Sequence, residues 1–305
     1  MKSTRADWLT FLALGLIWGS SYLFIKLAVN DFGTFTLVAL RLAIGAALLW
    51  VVLWRIGQRI PPRGRIYGHL FVMGLINITV PFILITWAEQ HTSSSIAAVL
   101  TSLVPLFSSI FAPLFIHDEP LRLNAIVGLV VGFLGVVVLT SRELGGVSFD
   151  LMSDLALVGA AVSYGAGAVY ARRNVRGLPP MVPATFQVTF AFLVSAVVAL
   201  VLEHPWDARP SAVAIGSIVW LGLLGSGFAY IAFFRLLAHW GAVRTTLVAY
   251  LIPVVGIALG WIVLQEPVDG RLLIGTGLVI AGVALVNSRY GRRLIFARAQ
   301  QDAAA

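Results

Sequence analysis

The sequence predicts an all-α membrane protein in which ten transmembrane helices form two inverted five-helix repeats around a central cavity. Three observations predict this fold. The 305 residues are 59% hydrophobic and only 11% charged, whereas a soluble domain is about half apolar and a quarter charged. Ten long apolar runs divide the chain, and the second half repeats the pattern of the first. Ten spans occupy about 200 residues, which leaves no room for a sizeable soluble domain.

Each apolar run is bounded by charges, glycine or proline and is long enough to cross a hydrocarbon core of about 30 Å. Their hydrophobicity is continuous rather than alternating, which indicates helices and not barrel strands. The first run is too long for a signal-peptide core and has no small-residue cleavage pattern after it, so we expect it to be retained. The predicted spans cover residues 8–29, 34–54, 68–88, 94–116, 122–140, 155–172, 182–202, 212–235, 243–264 and 272–288.

The net charge of +8 and the pI near 10.4 are explained by membrane orientation, without a nucleic-acid partner. With a cytoplasmic N-terminus, the cytoplasmic segments hold 16 of the 21 lysines and arginines, the opposite face holds three and the spans hold two. Cytoplasmic segments of membrane proteins carry such an excess. We therefore predict a multi-pass protein of the bacterial plasma (inner) membrane with both termini in the cytoplasm. The chain has no cysteine, which excludes disulfides and thiolate metal sites.

The two halves match at a nearly constant offset, which is the strongest organisational signal in the chain. At an offset of 146 residues, Trp18 matches Tyr164 and Lys26 matches Arg172. At an offset of 148 residues, Gly74 matches Gly222, His91 matches His239 and Pro105 matches Pro253. At an offset of 147 residues, Glu119-Pro120 matches Glu266-Pro267. Because each half has an odd number of spans, the second copy enters the membrane from the opposite side. Transporters repeatedly use such inverted repeats for alternating access. We predict a first repeat at 1–141, a linker at 142–154, a second repeat at 155–289 and a cytoplasmic tail at 290–305.

These residues resemble the drug/metabolite transporter superfamily, specifically its EamA family. The resemblance covers nearly the whole chain and rests on the order of Trp18-Gly19-Ser20 with Lys26, Arg41, Pro105 and Glu119-Pro120 before a glycine-spaced span, together with the repeat. The second copy departs from the pattern in having Tyr164 for Trp18 and Gln187 for Arg41. The resemblance implies ten helices around a central cavity and export of amino acids or related metabolites. An exporter of cationic drugs is the alternative within the same fold.

Arg41 is the one charge deep in a predicted span, about 4 to 5 Å from its midplane at about 1.5 Å per residue. An arginine at that depth costs about 2.5 to 3.5 kcal/mol and should face the bundle interior with a partner. Its planar fork suits a substrate carboxylate. Two interpretations remain open, namely that it binds substrate or that it ties helix ends and backbone carbonyls together.

Lys26 and Glu89 are candidates for coupling transport to protons. Lys26 lies about 11 Å from the centre of its span, and we expect its stem to extend to the outer interface. Glu89 lies near the outer end of the third span, where we expect a solvated helix-end carboxylate. Its alternative roles are a proton acceptor and a partner of Lys26. No acidic residue lies deep in a span, so the sequence predicts either facilitated diffusion or coupling through an interfacial group such as Glu89.

Proline and glycine mark the packing of the bundle. Pro105 and Pro253 are predicted to kink spans four and nine, as bends or as gating hinges. Glu119-Pro120 and Glu266-Pro267 are interpreted as helix starts, with proline at the first helical position. Glycines of span five and span ten are expected to pack within each half, with a dimer interface as the second interpretation. They are Gly128, Gly132, Gly135, Gly275 and Gly282.

Ten further polar or aromatic residues inside spans are predicted to surround the cavity with Arg41. Each is also of a type that joins helices or forms interfacial belts. They are Trp18, Ser21, Tyr22, Asn77, Trp87, Ser102, Tyr164, Gln187, Tyr230 and Tyr250.

Other classes of protein fit the sequence less well. A membrane-embedded lipid enzyme requires clustered intramembrane carboxylates or a histidine dyad, and the five histidines are scattered near interfaces. A scaffold does not require inverted duplication. No phosphate-binding glycine loop is present, so we expect no ATP hydrolysis by this chain. The predicted partners are a small-molecule substrate and the lipid bilayer, with no nucleic acid, no metal and no cofactor, and with monomer or dimer left open.

Overall fold

The computed structural model describes residues 4–62, 64–116, 123–141, 149–175, 177–240 and 245–287. These ranges are helical and contain no β-strand, and ten helices in them are long and apolar enough to cross a bilayer. This confirms the predicted all-α fold with ten membrane-spanning helices. The helices are α1 (Arg5–Phe32), α2 (Thr34–Arg55), α3 (Arg65–Ala88), α4 (Ser94–Phe115), α5 (Leu123–Thr140), α6 (Phe149–Asn174), α7 (Met181–Leu202), α8 (Ala212–Trp240), α9 (Thr246–Leu264) and α10 (Gly270–Asn287).

The linker between the halves is shorter than predicted. Helix α6 begins at Phe149, inside the predicted linker 142–154. The polar residues that predicted a linker include Asp150, and an acidic residue in the first turn is favourable to a helix. The predicted tail 290–305 and the Glu119-Pro120 pair lie outside the described residues.

The outer surface of the bundle is apolar. Large side chains such as Phe133, Val201 and Ile274 are more than half exposed on α5, α7 and α10. A soluble protein rarely exposes contiguous apolar patches of this kind, whereas a helix in lipid gains by presenting them. The exposed apolar belt is therefore consistent with ten spans in a bilayer.

The helices of one half pack mainly on helices of the other. Helix α5 packs on α10, α2 packs on α7, and α4 packs on α9. Two further kinds of contact come in matched pairs: α1 packs on α9 as α6 packs on α4, and α2 packs on α8 as α7 packs on α3. Exchanging the two halves therefore maps this contact pattern onto itself. This is consistent with a two-fold axis relating inverted repeats.

Glycines bring α5 and α10 into backbone contact. A Cβ atom on Gly128 would lie 2.6 Å from the carbonyl oxygen of Gly282, and one on Gly135 would lie 2.8 Å from that of Gly275. Gly132 packs against Leu106 of α4. The expectation that these glycines pack within each half is thus wrong for the α5–α10 contacts. The fifth helix of one half, α5, meets the fifth helix of the other, α10. The glycine spacing within a single helix does not reveal which helix it packs against.

Four spans contain irregular turns at equivalent places in the two halves. Helix α3 carries a π-helical segment at Leu75–Thr79 and α8 carries one at Leu221–Phe228. The first segment of α4 ends at Thr101 and a second begins at Val104, next to Pro105, whereas α9 begins with a 3₁₀ turn at Thr246–Tyr250 before Pro253. Such breaks free backbone groups inside the bundle, where they are tolerated only when protein encloses them.

Two glutamates cap helices of the opposite half. The Glu266 carboxylate accepts hydrogen bonds from the backbone N–H and hydroxyl groups of Ser94 and Ser95 at the start of α4. The Glu203 carboxylate likewise accepts from the backbone N–H groups of Phe35 and Thr36 and from the Thr36 hydroxyl at the start of α2. A carboxylate there satisfies unpaired N–H groups and complements the helix dipole.

The interpretation of Glu266-Pro267 as the start of its own helix is therefore wrong. Residues 265–269 are not helical, and α10 begins at Gly270, where Asp269 accepts a hydrogen bond from the N–H of Leu272. The acidic residue does stabilise a helix N-terminus, as expected from the dipole, but the helix is α4.

The close α5–α10 contact predicts an asymmetric response to two alanine substitutions on α10. Gly282→Ala should lower the thermal unfolding temperature in detergent, because its Cβ would meet the Gly128 oxygen and the Gly132 nitrogen at 2.6 Å. Overpacking of this kind costs about 1–3 kcal/mol. Gly277→Ala is the matched control, since nothing lies within 4 Å of its Cβ. Equal unfolding temperatures for the two variants would contradict the close backbone contact between α5 and α10.

Candidate functional site

A buried arginine lies where α2, α3 and α8 meet. The Arg41 side chain is only 3% exposed. Its Nε donates to the hydroxyl of Ser226 at 3.3 Å, and its guanidinium carbon lies 4.3 Å from the centre of the Phe82 ring. Within the described ranges no carboxylate forms an ion pair with it. The cation is thus held by a hydroxyl and an aromatic face, with most of its five donors unmatched.

Glycine in the π-helical segment of α8 makes room for this guanidinium. A Cβ on Gly225 would lie 3.3 Å from the Nη2 atom of Arg41 and 3.2 Å from the hydroxyl oxygen of Ser21 on α1. Gly222 admits the backbone of α2 in the same way, since its Cβ would meet the Arg41 carbonyl oxygen at 3.0 Å. The extra residue of a π turn displaces the chain locally. Gly225, Ser226 and Phe82 were not predicted as site residues.

Three tyrosines lie in the electrostatic neighbourhood of the arginine. Tyr22, Tyr164 and Tyr230, from α1, α6 and α8, are within electrostatic range of its guanidinium. The Tyr22 hydroxyl shares a short hydrogen bond with the hydroxyl of Thr101 on α4. The Trp18 ring packs edge-on against Tyr230 at 6.5 Å between centroids. The structure therefore gathers Trp18, Ser21, Tyr22, Tyr164 and Tyr230 near Arg41, and adds Thr101, which the sequence analysis did not single out.

The second half holds a neutral counterpart of the arginine contact. Gln187 of α7 is 1% exposed and accepts a hydrogen bond of 2.9 Å from the side-chain amide of Asn77. Asn77 lies in the π-helical segment of α3, which corresponds to the segment of α8 that contacts Arg41. Each of α2 and α7 thus places one polar side chain against an irregular turn of the other half.

Three predicted cavity residues make their contacts elsewhere. The Ser102 hydroxyl donates to the carbonyl of Val99 at 2.6 Å, within its own helix. The Trp87 ring packs on His91 at the end of α3, with centroids 5.3 Å apart. The Tyr250 hydroxyl accepts a hydrogen bond of 3.0 Å from Asn287 of α10.

Lys26 does not extend into the aqueous interface as expected. Its ammonium group donates to the carbonyl oxygens of Glu89 at 2.6 Å and Thr92 at 2.8 Å. These carbonyls belong to the turn after α3, where the helix leaves acceptors unpaired. By donating to two of them, Lys26 fastens α1 to this turn.

Glu89 is buried, contrary to the expectation of a solvated carboxylate. It follows the last residue of α3 and is fully inaccessible, and neither of its carboxyl oxygens has a hydrogen-bond partner. Burial raises the pKa of the Glu89 carboxyl well above its usual range, and the nearby Lys26 ammonium offsets this only in part. Its position at a helix end suggested exposure, but the turn held by Lys26 covers it.

Two cavities lie toward opposite ends of the bundle. One of about 210 Å³ is bordered by the turns after α3 and before α10, and its lining includes His91, Thr92, Asp154, Asp269 and Arg271. The other, of about 400 Å³, includes Ile76, Phe115, Tyr170, Arg173 and Asn174. Arg41 lines neither of them, and its neighbour Phe82 on α3 lies between Ile76 and His91 along the helix. Along α3, the contact with Arg41 therefore lies between residues that border the two cavities.

An aspartate and a histidine join α1 to α8 at the end of the bundle that contains the start of α1. The Asp7 carboxylate is 2.9 Å from the Nδ1 atom of His239 and caps its own helix by binding the Thr4 N–H and hydroxyl. Trp8 packs edge-on against Trp240 beside this contact. The repeat counterpart of His239 is His91, and Asp154 lies within one residue of the counterpart of Asp7.

Both of these counterparts border the cavity at the opposite end of the bundle. The Thr92 hydroxyl, next to His91, donates to Asp154 at 3.5 Å. Each end of the bundle therefore has an aspartate and a histidine from equivalent helices of the two halves.

Comparison with known proteins identifies the family. The model of the EamA-like transporter family matches residues 7–141 and again 151–288. An uncharacterized transporter of Archaeoglobus fulgidus is 30% identical over 92% of this chain and 98% of its own length, and the uncharacterized inner membrane transporter YedA of Escherichia coli is 30% identical over 90% and 88%. A probable terminal-alkyne amino-acid exporter of Streptantibioticus cattleyicolor is 28% identical over 96% and 97%.

A solved crystal structure has the same fold. It superposes with a TM-score of 0.66 at 24% identity, covering 93% of this chain and 96% of its own.

Proposed function

Because the chain belongs to the EamA-like transporter family, and so is a membrane transporter, we propose that it exports an amino acid or a related metabolite by alternating access. We place it in the bacterial inner membrane with both termini in the cytoplasm. The cytoplasmic bias of the basic residues supports this orientation, and a relative at 30% identity is named an inner membrane transporter.

The buried, unneutralised charge of Arg41 is the observation that supports a substrate with a carboxylate group. A guanidinium at this depth without a carboxylate partner is costly, and a substrate carboxylate would supply the missing ion pair through two parallel hydrogen bonds. The surrounding tyrosines offer hydroxyl groups and apolar ring faces for the rest of a small molecule. A cationic drug would meet repulsion from the same charge, so the geometry favours a carboxylate. The name of the amino-acid-exporting relative agrees with this choice.

Alternating access is supported by the exchange symmetry of the contacts. Two halves that pack on each other in matched pairs can rock between two arrangements of similar energy. We assign the Asp7–His239 contact to closure of the cytoplasmic end and the equivalent Asp154 and His91 to closure of the outer end. Forming one pair while the other separates would move the barrier from one side of the Arg41 cluster to the other.

Replacing Arg41 tests the substrate site. Purified protein in liposomes should exchange a labelled common amino acid across the membrane, and Arg41→Gln should reduce this exchange by about ten- to a hundredfold, the value of charged hydrogen bonds of about 1.5–3 kcal/mol. Arg41→Lys should show an exchange rate between those of the wild type and Arg41→Gln, because lysine keeps the positive charge but loses the two parallel donors of the guanidinium. Arg235→Gln is the matched control, since Arg235 is exposed.

The assay uses tetraphenylphosphonium as the cationic drug, measured beside the amino acids. Full exchange by correctly folded Arg41→Gln, or transport of the phosphonium ion alone, would contradict the carboxylate site.

Cysteine pairs test the closure of each end, and the chain has no native cysteine to interfere. In Asp7→Cys/His239→Cys, an oxidant should form a disulfide that stops amino-acid exchange, and a reductant should restore it in the same sample. His91→Cys/Asp154→Cys should behave alike at the other end. Each single-cysteine variant controls for the oxidant itself. Exchange that continues at an unchanged rate in the fully cross-linked protein would refute the assignment.

A further inference from the structure

Glu89 is an acidic group that the proposed substrate contact at Arg41 leaves unused. It is fully buried and neither carboxyl oxygen accepts a hydrogen bond. An ionised carboxylate in such surroundings costs several kcal/mol unless it is paired and hydrogen-bonded. The Lys26 ammonium is close, but it binds the backbone carbonyl of Glu89 and not its carboxylate. In the conformation described, the carboxyl group is therefore neutral and holds a proton.

The surroundings of Glu89 connect it to the Arg41 cluster and to the outer cavity. Its carboxyl group is within electrostatic range of Arg41 and of Tyr22. Two residues further along the chain, His91 begins the lining of the outer cavity. The group thus lies between the substrate cluster and the end of the bundle that we place outside.

The charged groups around Glu89 come from four elements, and none of them neutralises it. Lys26 and Arg41 on α1 and α2 favour its ionised form, whereas Glu266 before α10 disfavours it. Asp154 on α6 adds a further acidic group beside the turn, through its contact with Thr92. A cationic group that entered here would gain both from Glu89 and from these acids, and it would replace the proton.

Arg41 and Glu89 together match a molecule with two opposite charges. Arg41 is a buried cation without an anion, and Glu89 is a buried acid without a donor. The two are close enough to influence each other electrostatically and form no ion pair. Once Glu89 has lost its proton, the field between the two groups places the negative end of a substrate at Arg41 and its positive end toward Glu89. An amino acid zwitterion has this arrangement.

We propose that the Glu89 carboxylate binds the ammonium group of an amino acid in one half of the cycle and a proton in the other half. This inference rests on the proposed export of amino acids. The zwitterion leaves with its own protons, and Glu89 then takes a proton from the outer water and releases it to the cytoplasm after the barrier moves. One proton enters for each amino acid that leaves, and no covalent bond other than the carboxyl O–H forms or breaks. The exchange carries one positive charge inward.

The proton gradient tests this exchange in liposomes that contain the purified protein and the amino acid with the fastest exchange. For a one-for-one exchange with the membrane potential held at zero by valinomycin and equal potassium on both sides, a difference of one pH unit supports about a tenfold concentration ratio. The wild-type protein should build this ratio, with amino acid accumulating on the more acidic side. Glu89→Gln should carry out exchange at saturating amino acid with a raised KM, and it should build no ratio. Asp207→Asn is the matched control, because Asp207 is an exposed acid, and it should behave as wild type.

The pH dependence of binding provides a second readout that a merely structural role would not change. Amino-acid affinity of the wild type should rise with pH, because the proton competes with the ammonium group for Glu89, and it should be flat in Glu89→Gln. The corresponding 2-keto acid lacks the ammonium group and should not be driven by the gradient. Wild-type exchange that ignores the pH gradient, or a Glu89→Gln variant that still builds the ratio, would overturn the proposal while leaving amino-acid transport intact. An absence of exchange for every amino acid tested would overturn both.

Discussion

The structure depends on keeping one positive charge away from lipid. Arg41 lies about three residues from the middle of α2, where an arginine facing the bilayer costs about 2.5 to 3.5 kcal/mol. It is nevertheless almost completely buried, under Ser226 and Gly225 of α8 and against Phe82 of α3. The hydroxyl and the glycine come from the other half of the chain. Neither half alone encloses the charge, so the polar cluster and the pairing of the halves are one feature.

The contacts that hold the halves together explain how such a charge is enclosed without a soluble core. Without water, helix association relies on close packing and on polar contacts between helices. Glycines let α5 and α10 touch along their backbones. Glu203 and Glu266 each reach from the second half to the start of a helix in the first. The irregular turns of α3 and α8, by contrast, face the polar side chains Gln187 and Arg41 of the opposite half.

Much of this arrangement could be predicted because it rests on properties of single segments. Apolar length identified the ten spans, the constant offset identified the repeat, and the depth of Arg41 indicated burial. The features that were missed depend on distant parts of the chain. Glu266 caps a helix that begins 172 residues earlier, so its local sequence suggested its own helix instead. Glu89 is at a helix end, and only the fold of the following turn onto Lys26 encloses it. The π-helical segments of α3 and α8 pack on α7 and α2, and the sequences of α3 and α8 carry no periodic signal for them.

Equivalent positions in the two halves provide the most direct test of the inverted arrangement. Arg59, between α2 and α3, and Asp207, between α7 and α8, are 148 residues apart and both exposed. In single-cysteine variants Arg59→Cys and Asp207→Cys, a membrane-impermeant maleimide should label position 207 in intact cells and position 59 only after permeabilisation. Labelling of both positions from the same side of the membrane would contradict the inverted repeat, and with it the enclosure of Arg41 between two oppositely oriented halves.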